Sequence, residues 1–175
     1  VLGGGECQVS STLFSAILYT DLDVLERANH SMPVHYVPSG MDATVFWDSP
    51  DFKFENNHKY PVKIVMNMDS SDTLTVKILG TKENDYTIEP RVEQIDEMSN
   101  VTYRDYKDAS GNVVKSESVC ASKYKPLNSG STNARVICLA RSGRKLKNTT
   151  LSSALIVPLP STTVGSINSS VTLFA

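Results

Sequence analysis

The sequence has few of the residues from which metal centres and cross-linked folds are built. Its 175 residues include only three cysteines and three histidines. No cysteine pair has the short CxxC spacing of sulfur-rich zinc sites, and no HExxH pattern occurs. An odd number of cysteines leaves at least one thiol unpaired within the chain. We therefore predict no metal site and take Cys7 as the free thiol, with a bridge between Cys120 and Cys138 left open.

Long apolar runs and an excess of positive charge are also absent. The longest apolar candidate, residues 154–159, is interrupted by Pro158 and is far shorter than the about 20 residues that span a bilayer. A net charge of -2 gives no electrostatic reason to expect nucleic acid as a partner. The glycines near the start show neither GxGxxG nor GK[ST] spacing, so we predict no nucleotide cofactor. With 40% hydrophobic and 21% charged residues, the composition is that of a soluble globular protein.

The stretch from Gly3 to Asp42 contains the candidate catalytic residues. Three glycines lead into Cys7, and the apolar spacing of Cys7–Thr20 predicts an amphipathic helix with a polar second face. A glycine entry leaves the first N–H groups of a helix open. A thiol there lies at the positive end of the helix dipole, which favours thiolate. Glu6 beside it would raise the pKa of the thiol if the two charges lie close together.

A histidine and an aspartate follow the predicted helix, each in a turn. His30 lies in an Asn-His-Ser turn, and Asp42 comes just after a Ser-Gly turn. A thiolate, an imidazole and an orienting carboxylate are the parts of nucleophilic cysteine catalysis. We therefore predict Cys7 as nucleophile, His30 as general base and acid, and Asp42 as the group that orients His30. Gln8 is the predicted side-chain donor to an oxyanion, together with the backbone N–H of Cys7.

Each of these residues also has a structural interpretation. Cys7 is equally typical of a small buried residue that packs a helix against a sheet. His30 is equally typical of a turn residue that caps backbone groups, and Asp42 of an Asx turn, with Asp51 as a second carboxylate in a similar context. Gln8 is also compatible with a role confined to the start of the helix. Whether the four side chains meet in space decides between these interpretations.

After the helix the apolar period changes to two, which is typical of strands. One early helix followed by many strands predicts an α+β fold, with the helix packed on an antiparallel sheet. The predicted strands are Val24–Arg27, Val34–Val37, Ala43–Trp47, 52–54, Pro61–Met68, Thr73–Gly80, Tyr86–Ile95, Val101–Lys107 and Val113–Ala121.

The composition changes after Pro126, which predicts a separate tail. Of the 17 basic and 19 acidic residues, five basic and no acidic ones lie in 127–175. That leaves a net charge of -7 for residues 1–126, against +5 for the tail. Rich in Ser, Thr and Asn, the tail has little large apolar surface to offset its ordering entropy. We predict a tail at 127–175 that is disordered or weakly β.

Three blocks of the sequence resemble the VanW family in order and spacing. They read GGGECQVSSTLFSA, ERANHSMPVHYVPSGMDATV and DFKFENNHKYPVKI, and the resemblance extends from about the first residue to about Pro126. The family is named after an accessory protein of glycopeptide-resistance clusters in Gram-positive bacteria, which implies a cell-envelope setting. Proteins resembling VanW usually carry a membrane anchor upstream. The resemblance implies a VanW-like core at 1–80, cut at its N-terminus, and a small β-rich extension at 81–126 of the kind that often follows such domains. It also implies an extracellular location, with membrane attachment only through an anchor outside this chain.

The residues and the resemblance together give two functional expectations. The first is a cysteine-dependent acyl-transfer, amidase or peptidase-like activity on peptidoglycan peptide or protein, with no cofactor. The second is a non-catalytic module that binds or scaffolds the cell wall, in which the same residues are structural. In both, the expected partner is peptidoglycan or a cell-wall peptide, not nucleic acid.

Overall fold

The computed structural model describes residues 4–126 and 166–173, and its single described helix begins directly after the glycine run. Gly5 adopts φ 94°, a left-handed conformation that glycine takes without strain, and helix α1 (Glu6–Ile17) follows it. The predicted helix is three residues too long at its C-terminus. The N–H of Thr20 bonds to the carbonyl of Ile17, three residues back, so the chain tightens and leaves the α-helical path there.

The strands of the described residues form three antiparallel sheets, and the predicted α+β class is confirmed. Helix α1 packs against the second of these sheets, chiefly against β4, as predicted. The sheets have the orders β1-β2, β3-β4-β8 and β5-β6-β7. The strands are β1 (Asp23–Glu26), β2 (Lys53–Glu55), β3 (Lys63–Met68), β4 (Leu74–Thr81), β5 (Thr87–Asp96), β6 (Ser99–Lys107), β7 (Val113–Lys123) and β8 (Ser166–Leu173).

A buried apolar cluster between α1 and β4 fixes the position of the helix. Ile17 packs with Val76 and Ile78, all three essentially without solvent exposure. Each such side chain stabilises the fold by about 1.5–3 kcal/mol relative to exposure. A second cluster, around Phe14 and Leu18, packs the opposite side of the helix against Ala43. With both sides packed, the N-terminus of α1 and its cysteine have a defined place in the fold.

The strands predicted at Val34–Val37 and Ala43–Trp47 are wrong. Both segments are irregular, and the second lies along α1. The backbone of Ala43 bonds to helix side chains instead of to a neighbouring strand: its carbonyl accepts from the hydroxyls of Ser10 and Ser11 at 2.7 and 3.1 Å. The predicted polar face of the helix is therefore buried where it carries serines. Small hydroxyl side chains allow the chain to approach the helix closely while satisfying its buried backbone groups.

The β-rich extension forms as predicted, as the sheet β5-β6-β7, and it contacts the preceding part of the chain. The buried Arg104 of β6 donates to the carbonyls of Ile17 and Leu22 at 3.2 and 2.8 Å, at the end of α1 and in the turn that follows it. The division at residue 80 stays a prediction. Strand β8 falls in the predicted tail, and the other predictions for the tail, including a bridge to Cys138, lie outside the described residues.

Candidate active site

The fold brings Cys7, His30 and Asp42 together. The Nδ1 atom of the His30 imidazole lies 2.7 Å from Oδ2 of Asp42. The Cys7 thiol lies close enough to the imidazole that each group shifts the pKa of the other. A thiol, an imidazole and a carboxylate are thus neighbours, in the order that cysteine nucleophiles use. The three residues come from the start of α1 and from two separate turns that are bound to each other and to the helix.

Asp42 is fully buried and its carboxylate is shared between two sets of donors. Oδ2 accepts from both the backbone N–H and Nδ1 of His30, each at 2.7 Å. Oδ1 accepts from Nη2 of Arg27 at 3.0 Å and from the hydroxyl of Tyr124 at 2.5 Å. Burial raises the pKa of Asp42, but the hydrogen bonds from His30 and Tyr124 and the charge of Arg27 outweigh it and lower that pKa. The carboxylate is ionised at neutral pH.

The surroundings of His30 favour its protonated form relative to a free imidazole. Burial lowers the pKa of its imidazole, but the hydrogen bond to Asp42 and the bond to Cys7 raise it above the ordinary value. Its Nε2 atom lies 3.2 Å from the hydroxyl of Tyr36. Since Asp42 accepts the Nδ1 proton, the tautomer and the orientation of the ring are both fixed.

The Cys7 thiol is close to the backbone and mostly covered. It lies 3.4 Å from the carbonyl of Val45 and 3.8 Å from the hydroxyl of Thr44, and the residue is 9% exposed. Burial raises the pKa of the thiol, but hydrogen bonds with the Val45 backbone, His30 and Thr44 lower it below the ordinary value. Glu6 is exposed to solvent. The lowered pKa of Cys7 and the raised pKa of His30 together favour a thiolate–imidazolium pair.

The turn before Asp42 explains why the carboxylate reaches this place. Gly40 has φ 89°, and a Cβ there would lie 2.5 Å from Oδ1 of Asn100 and 2.9 Å from Oγ1 of Thr102. Its carbonyl accepts from the Thr102 hydroxyl at 2.8 Å and from Nη2 of Arg27 at 3.3 Å. Only glycine allows both the left-handed turn and the close approach to β6. Asp42 follows two residues later.

Gln8 is half-buried and faces a cavity of about 280 Å³. Tyr36, which contacts His30, also lines this cavity, whereas Cys7 itself does not. The start of α1 has no side-chain cap, so the N–H of Cys7, in the first turn, has no acceptor within the helix. Gln8 and this N–H are thus near the thiol, and their oxyanion role stays a prediction.

Arg27 contacts Asp42 and Tyr36 contacts His30, and sequence reasoning missed a third contact of the site, Tyr124. Tyr124 is 82 positions from Asp42, and no local pattern relates the two. The other histidines lie apart from the triad: His35 is exposed, and His58 pairs with Asp21 at 2.7 Å. Within residues 4–126 and 166–173, no group of three His, Cys, Asp or Glu side chains is arranged to hold a metal ion.

Among the helices in the described part of the chain, none is long and apolar enough to cross a membrane.

Within the same part of the chain, the cysteines Cys7 and Cys120 are both free thiols.

Comparisons with known proteins agree with the resemblance. Residues 1–79 match the family profile described as VanW like protein. The uncharacterized protein YoaR of Bacillus subtilis (strain 168) is 51% identical over 63 residues, which is 36% of this chain and 21% of that protein. The match therefore spans about a fifth of this relative's length. No solved structure matches the chain. The resemblance to the VanW family is therefore confirmed over residues 1–79, and beyond residue 79 it stays a prediction.

Proposed function

We propose that the VanW-like region is a cysteine-dependent acyl-transfer domain, of amidase, peptidase or transpeptidase type, that acts on peptidoglycan peptide or protein. The observation that carries the proposal is the hydrogen bond between His30 and the buried Asp42, beside a Cys7 thiol whose pKa the imidazole lowers. Burial alone would make a cysteine inert, but here the pKa of the thiol is lowered despite burial. That combination is typical of a nucleophile.

In the proposed reaction the Cys7 thiolate attacks the carbonyl carbon of an amide. The carbon–sulfur bond forms, and the carbonyl electron pair moves to oxygen, where the N–H of Cys7 and the amide of Gln8 stabilise it. The carbon–nitrogen bond then breaks, and the imidazolium of His30 gives its proton to the leaving amine. A thioester on Cys7 remains. Asp42 keeps its negative charge throughout and holds the ring of His30 in place.

The thioester is resolved by a second nucleophile. Neutral His30 takes a proton from water or from an acceptor amine as that group attacks the thioester carbon, and the Cys7 thiolate leaves. Water gives hydrolysis, and an amine gives acyl transfer. Both outcomes use the side chains of Cys7, His30 and Asp42. The geometry therefore supports the reaction class, and the assay distinguishes water from an amine as the acceptor.

The proposed cell-envelope setting rests on the likeness of residues 1–79 to the VanW family. The family takes its name from an accessory protein of glycopeptide-resistance clusters, and this supports an association with vancomycin resistance and the cell envelope. Peptidoglycan stem peptides contain the amide bonds that such a thiolate would attack. We therefore propose an extracellular location at the cell envelope.

The decisive test combines an assay on purified peptidoglycan with a thiol probe. The native chain is expected either to release free amines from peptidoglycan by hydrolysis or to join an added fluorescent amine to it by acyl transfer, and Cys7→Ala is expected to abolish both. Cys120→Ser removes the other described free thiol and serves as the matched control, with both unchanged. Iodoacetamide is expected to modify Cys7 faster than a free thiol at neutral pH. Equal release and equal amine joining by the native and Cys7→Ala chains, together with an unreactive Cys7, would refute the proposal.

A non-catalytic wall-binding module is the second candidate, and one observation favours it. Phe46 and Trp47 directly follow the Val45 segment and are 72% and 76% exposed. Exposed aromatic rings beside a polar site are suited to stacking on sugar rings or peptide groups. If this module is the function, Trp47→Ala weakens co-sedimentation with peptidoglycan, while Cys7→Ala leaves both binding and free-amine levels unchanged.

A further inference from the structure

We infer that the β5-β6-β7 sheet is part of the catalytic unit. Tyr124 acts as a positioning residue that holds the carboxylate of Asp42 in hydrogen-bonding position to His30. This inference rests on the proposed function and extends it beyond residue 79, where the family match ends. Tyr124 directly follows β7, and its hydroxyl donates to Oδ1 of Asp42 at 2.5 Å.

The two carboxylate oxygens of Asp42 have separate tasks. Oδ2 receives both donors of His30, whereas Oδ1 receives only the donors Tyr124 and Arg27. Bonds to Oδ1 therefore set the plane of the carboxylate without competing for the oxygen that faces the imidazole. A carboxylate that is hydrogen bonded at one oxygen only could rotate about χ2, because the energy of an aspartate side chain changes little with that angle. The Oδ1 contacts restrain that rotation.

Tyr124 also joins Asp42 to the turn that precedes it. Its hydroxyl accepts from the backbone N–H of Gly40 at 2.7 Å while donating to Asp42, and the residue is 4% exposed. The buried hydroxyl both donates and accepts a hydrogen bond. It is a rigid connection, because any displacement would leave a buried polar group unpaired. One hydroxyl thus fixes both the turn and the carboxylate that the turn presents.

Arg27 connects the same oxygen to β7 through a second path. Its Nη2 donates to Asp42, and its Nη1 donates to the hydroxyl of Ser122 at 2.7 Å. Asn29, next to His30, bonds to the carbonyl of Lys123 at 2.9 Å. The end of β7 therefore touches the carboxylate, its arginine partner and the histidine turn. This convergence distinguishes the sheet from a separate appended module.

The test uses the whole chain with Cys120→Ser and Cys138→Ser, so that iodoacetamide reports Cys7 alone. Tyr124→Phe removes one hydroxyl and keeps the ring, and Tyr103→Phe on β6 is the matched control. We expect Tyr124→Phe to shift the pH of half-maximal alkylation upward and to lower the rate at pH 6 about threefold to tenfold. The control is expected to match the native profile. Tyr124→Phe is expected to cause no further change when Asp42→Asn is already present, because its effect passes through Asp42.

A second readout keeps the two proposals separable. The titration of His30, followed by NMR and assigned with His30→Asn, is expected to occur at lower pH in Tyr124→Phe than in the native chain. An unchanged alkylation profile and an unchanged His30 titration in folded Tyr124→Phe would overturn the positioning role, even if Cys7 is reactive. If Cys7 is unreactive but the His30 titration moves, the proposed reaction fails and the positioning role stands. Should Tyr124→Phe not fold, Ser122→Ala tests the parallel path through Arg27 with the same readouts.

Discussion

Ser11 and Ala43 exchange two hydrogen bonds: the hydroxyl of Ser11 accepts from the N–H of Ala43 at 3.0 Å and donates to its carbonyl at 3.1 Å. A side chain of the helix thus takes the place that a neighbouring strand would fill. Asp42 immediately precedes Ala43, so this exchange also determines how far the carboxylate lies from the start of the helix. Helix and turn are locked together within the site.

We expect Ser11→Ala to lower the free energy of unfolding by about 1–3 kcal/mol, because it leaves the buried N–H of Ala43 without its acceptor. Urea denaturation followed by circular dichroism measures the loss. Ser110→Ala is the matched control, since Ser110 is exposed in the turn between β6 and β7 and its hydroxyl is not buried. Similar stability for Ser11→Ala and Ser110→Ala would show that the exchange is energetically unimportant.

The thiolate character of Cys7 is expected to depend on His30. In the native chain the pKa of Cys7 is lowered, so alkylation should proceed at pH values where an ordinary thiol, of pKa about 8.5, is still protonated. His30→Asn removes both the hydrogen bond and the positive charge, and we expect the rate at pH 6.5 to fall by about tenfold for each unit that the thiol pKa rises. The rate of iodoacetamide modification between pH 5 and 10 gives the profile.

His35→Asn is the control for that experiment, because His35 is exposed and only five positions away. Its profile should overlay that of the native chain. A His30→Asn profile that also overlays the native one would mean that the imidazole does not stabilise the thiolate, and the catalytic interpretation of the pair would be withdrawn.

Cys7, His30 and Asp42 could be proposed as site residues from the sequence because each carries a local signal, and their catalytic roles stay predictions. The glycine run before Cys7, the polar turn at His30 and the Ser-Gly turn before Asp42 are all visible within a few residues. The helix and the hairpin of β3 and β4 were also predicted, since their apolar periods are regular. These features depend on neighbours in sequence, and therefore a single sequence reveals them.

The parts that could not be predicted depend on distant neighbours. The segment at Ala43 alternates between apolar and polar residues as a strand does. In the structure, however, a buried serine of the helix forms the hydrogen bonds of its backbone. The helical periodicity of the sequence assigns serines to the solvent-exposed face, so this burial could not be predicted. Tyr124 lies beside Asp42 only because β7 ends there. A tyrosine after a strand has no feature that distinguishes a site residue from a core residue.

Asp42 is expected to make the stability of the protein depend on pH in the acid range. Its folded pKa is lowered, so its contribution is fully present above the unfolded value of about 3.9 and is lost as pH falls through the folded pKa. Asp42→Asn should remove this dependence. It should also cost about 3–5 kcal/mol at pH 7, because it leaves the buried charge of Arg27 without its partner.

Denaturation midpoints measured from pH 2 to 7 for the native and Asp42→Asn chains test this expectation. The two curves should converge towards low pH, since protonated aspartic acid and asparagine are both neutral. Asp51→Asn, a change to an exposed carboxylate, is the matched control and should retain the native pH dependence. If the denaturation midpoints of the native and Asp42→Asn chains change in parallel with pH, the Asp42 carboxylate does not stabilise the fold through its negative charge.

Gly40 and Gly111 provide a matched pair for the close approach that places Asp42. Both have positive φ, 89° and 82°, so alanine is strained by a similar amount at either position. They differ in their surroundings: a Cβ at Gly40 would lie 2.5 Å from Oδ1 of Asn100, whereas a Cβ at Gly111 meets nothing within 4 Å. We expect Gly111→Ala to cost about 1–3 kcal/mol. Gly40→Ala should cost more and should also slow alkylation of Cys7 at pH 6, because the displaced turn carries Asp42 away from His30. Equal losses of stability in the two variants, with unchanged Cys7 reactivity, would show that the turn tolerates displacement and does not set the geometry of the site.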